Sequence, residues 1–352
     1  MWAQLGLFSG MIFVGSVAGC VAWGARLQNL NIYYESQDTG LTRQQHFILL
    51  ASSHQWLAVF LFMYGLEFLF LAIAKLVLLG RLARSAAHSS QEEDESMDVR
   101  RGCLKGRALP VVYRVMSSAV VMGCVVGMVA NVVAVAFLVE AIRLEQKAAD
   151  VCHNSTLSCR TLGQEVVDKN AKVRTAQSVQ AVSEALTLLL LSVAFIAIVS
   201  WSVALFRMLE HTAAHALRSA KATTHLRPSE GIAARIVENS MHGAVQQRRR
   251  LITTCVIVLA TFPARAVFDC LSAYSAFNAP LNSACAICDG SCQSDAFLIR
   301  EWINYTPEFQ ALVVALSSPL PLTVTLWLIT KAHAELRLIA ADVQLASQRG
   351  GL

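Results

Sequence analysis

Charge is scarce in this sequence. Only 15% of its 352 residues are Asp, Glu, Lys or Arg, where a soluble globular domain carries about 25%. The shortage is uneven. It is concentrated in six apolar stretches, 2–23, 49–79, 111–139, 186–206, 251–277 and 309–329. About 20 apolar residues, rising ~1.5 Å each, cross a bilayer's hydrocarbon core. Strand alternation is missing too. Runs such as Leu188-Leu189-Leu190-Leu191 do not switch between apolar and polar, as a barrel strand of ~10 residues would. Lipid offers no hydrogen bonds, so each span must satisfy its own backbone as a helix. These absences exclude an ordinary soluble domain and a membrane barrel. They predict an all-α polytopic transmembrane helix bundle of six spans (five or seven being the neighbouring counts), forming a single membrane domain over 1–352 with lipid as its solvent.

Further absences narrow the function. No basic stripe is interleaved with aromatics, so the net charge of +5 does not imply nucleic-acid binding. No Gly-rich phosphate loop, G-x-S-x-G elbow or H-E-x-x-H pair occurs, which leaves no enzyme signature and no implied cofactor. The first apolar run lacks the basic start of a cleaved signal peptide, so a retained signal-anchor is expected. Val17-Ala18-Gly19-Cys20 resembles a lipoprotein cleavage box without that start. No internal repeat is evident.

The loops carry the orientation. With six spans, the segments on one side hold 17 Lys and Arg residues and those on the other hold 9, with three more inside spans. Basic residues favour the cytoplasm, so both termini are expected there, in the plasma membrane or an endomembrane. Asn154-Ser155-Thr156 then forms a glycosylation acceptor in an outer loop. On the cytoplasmic side, the 83–109 loop contains an acidic serine-rich tract and is expected to be disordered. The basic 207–250 loop breaks at Arg227-Pro228 and ends in Arg248-Arg249-Arg250. That triplet suits anionic lipid, and the loop is a candidate docking segment for a cytoplasmic protein partner.

Cysteines gather outside. Cys152 and Cys159 lie in one outer loop, and Cys285, Cys288 and Cys292 in the cysteine-rich 278–306 loop. A structural zinc site takes four ligands. The triplet has no neighbouring histidine, so no metal is expected and an oxidising compartment favours disulfides. Five cysteines leave one over, for which Cys270 near the outer end of its span is the candidate. Cys152 could close a small loop with Cys159, or the pair could tie to the 285–292 cluster; spacing does not assign the pairing.

Ionisable groups inside spans are costly and are functional candidates. Glu67 sits ~21 Å inside from Arg81, and Arg265 ~22 Å inside from Arg250. Their matched depth and opposite charge predict an inter-helix ion pair. Asp269 follows Arg265 by four residues, shares its helix face and competes for the same partner. Asn131 is near the same depth. The set is either a clamp that fixes helix order or a polar pathway or switch. Lys75 is close enough to the inner edge to snorkel. Glu140 and Glu184 fall near the outer interface. Pro263 is placed to kink its helix.

The last two stretches run from Arg248-Arg249-Arg250-Leu251 through Pro263-Ala264-Arg265, then from Pro307-Glu308-Phe309 through Ser317-Ser318-Pro319-Leu320-Pro321. This pattern of basic triplet, mid-span Arg and proline-bearing final helix resembles the THH1/TOM1/TOM3 group of GPCR-like membrane proteins, over under a fifth of the chain. The resemblance implies seven spans, one more than counted, and a final helix bent at Pro319 and Pro321. It also implies a receptor-like or scaffolding protein rather than an enzyme. The alternative is a small-solute or ion transporter or channel with a polar path through Glu67, Asn131, Arg265 and Asp269. The ligand is not specified by either.

Overall fold

The computed structural model describes residues 2–38, 40–94, 103–151, 156–223 and 230–278, with scattered positions from 295 onward. Along 81–94, 103–110, 156–160, 208–223 and 230–244 only the backbone is described. Five α-helices account for these segments. They are α1 (Trp2–Ser36), α2 (Arg43–Asp94), α3 (Cys103–Val151), α4 (Thr156–Thr223) and α5 (Glu230–Asn278).

Five stretches are long and apolar enough to cross a membrane: Gly6–Ser36, Arg43–Gly80, Tyr113–Val151, Thr161–Trp201 and Cys255–Asn278. They correspond to the first five of the six expected spans. The sixth, 309–329, falls almost entirely outside the described residues, as do Pro319 and Pro321. The fourth apolar stretch begins earlier than the hydropathy of 186–206 suggested. Helix α4 carries small and polar residues such as Ser178, Gln180 and Ser183 toward other protein rather than lipid, and all three are buried. Helix α3 shows the opposite pattern. Val115, Val121, Met122, Val125, Val129 and Val132 are exposed on its surface. In water such a stripe would be an interaction patch; in a bilayer it is the lipid face.

The local signals explain the first turn. Thr42 and Gln45 form a reciprocal capping box. The Gln45 amide N–H donates to Thr42 Oγ1 at 3.3 Å, and the Thr42 N–H donates to Gln45 Oε1 at 3.0 Å. His46 Nδ1 meets the Ser36 carbonyl at 2.7 Å, satisfying an orphan group at the end of α1.

Helix extends into both of the long loops. The 83–109 loop is not a disordered segment throughout, because α2 continues to Asp94 and α3 begins at Cys103. Its Ala, Arg, Gln and Glu residues are good helix formers and extend a helix already nucleated in the apolar stretch. The 207–250 loop divides into two helical pieces, with α4 ending at Thr223 and α5 starting at Glu230, as its proline predicted.

The described helices divide into two compact units. The first contains residues 1–77, 117–191 and 262–319, and the second 78–116, 192–261 and 320–352. In the first, Ala22 and Ala25 of α1, Ala51 and Phe60 of α2, Ala134 and Leu138 of α3 and Ala176 of α4 form a buried core. The alanines let helix backbones approach closely, the usual mode of packing in lipid. Trp23, Phe60 and Tyr64 stack beside them, with ring centroids 5.5–6.5 Å apart. Asn29 and Ser53 lock α1 to α2: Asn29 Nδ2 donates to Ser53 Oγ at 2.8 Å and Ser53 Oγ donates to the Asn29 carbonyl at 3.1 Å. In the second unit, Leu78, Leu79, Phe195, Ile198 and Val199 are buried.

Candidate intramembrane polar site

The first unit carries an interior set of charged side chains. Helical periodicity places them. On α2, Tyr64, Glu67, Leu71 and Lys75 recur at helical spacing on one face. On α4, Gln180, Ser183, Glu184 and Thr187 do the same, and on α5 Phe262, Arg265 and Asp269. All of these residues are buried. Asn131 of α3 is buried as well, and Gly19 of α1 closes one side.

Arg265 is the centre of the set. Its Nη2 forms an ion pair with Glu184 Oε1, and both side chains are 1% exposed. The same nitrogen donates to Tyr64 Oη at 3.1 Å, and the guanidinium lies 5.7 Å from the Tyr64 ring centroid. Gln180 Nε2 donates to Glu184 Oε2 at 2.8 Å, so both oxygens of that carboxylate are engaged.

The expected partner of Arg265 was Glu67, and Glu184 takes that position instead. Glu67 remains close enough for its charge to act on Arg265, after Glu184 and Asp269. Its carboxyl packs on α1 at Gly19, where an added Cβ would lie 2.9–3.1 Å from the carboxyl atoms. Glu67 Oε2 has no hydrogen-bond partner among the described residues. Asp269 lies on the face of Arg265, as expected, with Glu184 as its strongest charged neighbour, ahead of Arg265 and Lys75. Its Oδ2 is also without a hydrogen-bond partner. Asn131 sits against α2 at Gly65, where a Cβ would lie 2.7 Å from Nδ2. Both of its amide atoms lack a hydrogen-bond partner.

Lys75 does not snorkel. It is 1% exposed, and its ammonium stands 4.4 Å from the Phe262 ring centroid. The aromatic face of α5 offers the cation a place nearer than the headgroups. Glu184 is likewise no interfacial residue. The hydropathy of α4 hid it because the helix is buried well before its apolar run begins. No linear signal pointed to Tyr64 or Phe262, since neither is charged. Glu145 was also missed: it is fully buried on α3 and receives His54 Nδ1 of α2 at 2.8 and 3.0 Å. Glu140 pairs with Lys169 on the surface.

The remaining sequence candidates divide in two. Helix α5 runs through Pro263 without interruption in its residue range. Cys270 is exposed and unbonded among the described residues; the cysteines it was expected to join lie outside them. Asn154, Cys152, Cys285, Cys288 and Cys292 lie outside the described residues, as does the side chain of Cys159. Among the described residues no three His, Cys, Asp or Glu side chains gather to hold a metal ion. No protein family, curated protein or solved structure matches this sequence or fold.

Proposed function

We propose that this multi-pass membrane protein is a non-enzymatic carrier or channel for a small ion or solute, with Glu67, Asn131, Glu184, Arg265 and Asp269 along its polar path. One observation carries the reading. The interior is polar where α2, α3, α4 and α5 each contribute a buried group, while the surface of α3 is apolar. Bare structural packing in lipid needs small residues and a few hydrogen bonds; it does not need four buried ionisable side chains and a buried amide. Arg265 pairs with Glu184 rather than activating a nucleophile, which supports a non-enzymatic role.

Flux tests the proposal. The purified protein is reconstituted into vesicles, and movement of H⁺, Na⁺, K⁺ and Cl⁻ is followed with internal indicators. Flux above that of protein-free vesicles is expected, together with its loss in Glu67→Gln and Asp269→Asn. A panel in which no ion moves faster than in protein-free vesicles would end the ion-carrying form of the proposal.

A receptor-like or scaffolding role is the second reading. It is favoured by the helical continuation of α4 to Thr223 and of α5 from Glu230, which gives parts of the basic 207–250 segment a regular backbone for a cytoplasmic partner to meet. The excess of Lys and Arg on its side of the spans supports a cytoplasmic position for that segment and both termini. Labelling of single cysteines introduced into it, from one side of a sealed membrane, checks the orientation.

A further inference from the structure

The buried charges of the site do not balance. Among the described residues of the site, Glu67, Glu184 and Asp269 are 1–3% exposed, against two cations, Lys75 and Arg265, at 1% each. Nothing in the sixth apolar stretch makes up the difference, because 309–329 contains no Asp, Glu, Lys, Arg or His. Helix α1 has no charged residue before Arg26, whose guanidinium lies over the Phe60 ring, about two turns from Gly19. Taking an unmatched carboxylate out of water is prohibitive, and buried charges are paired or bind a cation.

The geometry singles out the carboxylate in excess. Glu184 is held by Arg265 and Gln180. Asp269 is one turn from Arg265 on the same helix and acts on it more strongly than Glu67 does. Glu67 lies on the side of α1, whose facing residue is Gly19, and its Oε2 has no hydrogen-bond partner among the described residues. The charged groups that act on it are Arg265 of α5, Glu184 of α4 and Lys75 of its own helix; α3 contributes the neutral Asn131 and Cys124.

We infer that Glu67 holds one exchangeable monovalent cation in the bundle interior, a proton or a sodium ion. A proton forms one O–H bond at Oε2 and is drawn from hydronium; sodium is bound by electrostatics with no covalent change. The inference names a coupling ion or cargo for the carrier proposed above, but the binding itself does not depend on transport.

Infrared difference spectroscopy on the full chain in lipid nanodiscs tests it, with sodium chloride compared against choline chloride at neutral pH. Wild type should show the carbonyl stretch of one protonated carboxylic acid in choline chloride, and Glu67→Gln should lose it. A band that persists in sodium identifies a resident proton, and a band that sodium removes identifies exchange at the same place. If the wild type shows no band, sodium should instead raise its unfolding temperature, an increase that Glu67→Gln abolishes. A band that survives Glu67→Gln overturns the inference, as does a wild type with neither band nor sodium response. Should Glu67→Gln fail to fold, Lys75→Met serves. It removes a cation and leaves the carboxylates, so the cation count should rise to two; an unchanged count overturns the charge balance. Because these readouts need no flux, a bound cation without flux would end the transport reading and leave this inference standing.

Discussion

Two carboxylate–cation pairs attach α4 to a neighbouring helix, and their surroundings are opposite. Glu140 of α3 meets Lys169 of α4 with side chains 49% and 28% exposed, and Glu184 of α4 meets Arg265 of α5 at 1% each. The chemistry is nearly the same, but the consequences differ. At the surface, solvent and salt screen both ions, and removing one leaves the other hydrated. In the interior each ion has given up its hydration, so neither tolerates loss of its partner. The outer pair also shares its cation with Phe137, whose ring centroid is 5.7 Å from Lys169 and 5.6 Å from Lys172. The inner pair is embedded in a set with one carboxylate too many. Position in the bundle, rather than residue type, separates a dispensable contact from a site.

The comparison can be broken most severely at Arg265. Arg265→Met should destabilise the protein by about 3–5 kcal/mol, because Glu184 is left buried and uncompensated. Denaturant unfolding of the detergent-solubilised protein measures this. Adding Glu184→Met to the same chain should recover most of the loss, since apolar replacement of a whole buried pair is close to neutral. Failure of the double variant to recover would mean that the pair is not isolated from Tyr64 and Gln180 energetically.

A smaller effect is expected where α3 meets α4. A Cβ at Gly123 would collide with Thr187 Oγ1, and Thr is stiff at its first torsion. Gly123→Ala should therefore lower stability by about 1–3 kcal/mol through overpacking. Ser183 Oγ also donates to the Gly123 carbonyl at 2.6 Å, so the same substitution tests how closely these helices must approach. A Gly123→Ala protein with unchanged unfolding would show that α4 can shift away from α3.

Glu67→Gln should leave the unfolding midpoint unchanged or raise it, because the unmatched carboxylate gains nothing from its charge, while abolishing ion flux. A marked loss of stability would instead make Glu67 a structural counter-ion. The least effect belongs to the outer pair: Lys169→Ala and Glu140→Ala should leave the unfolding midpoint within experimental error at physiological salt. A clear shift there would remove the contrast between the two pairs.

Much of the architecture was readable from hydropathy, and the misreadings have a common origin. Glu67, Asn131, Arg265 and Asp269 were found as interior groups because charge and amide in an apolar run are conspicuous. Their partners were not found. Counting residues from Arg81 and Arg250 gives depth along two axes but says nothing about rotation about them, so Glu67 and Arg265 matched in level without being paired. Lys75 was placed at the headgroups by the same count; its ammonium lies 4.4 Å from the Phe262 ring centroid instead. Glu184 precedes the apolar run of α4, and only the burial of that helix among its neighbours brings it to the level of Arg265. Glu145 was silent because its companion, His54, lies 91 residues away.

Low charge, unalternating apolar runs and the backbone's need for hydrogen bonds were sufficient for a helical membrane protein, whatever its packing, because a bilayer accepts no other solution from such runs. The identity of Arg265's partner, the inward course of Lys75 and the surplus carboxylate on Glu67 followed from which helix faces meet. Those faces are selected by close fit of Ala, Gly and aromatic side chains between helices, a property of neighbours in space that no stretch of chain contains alone.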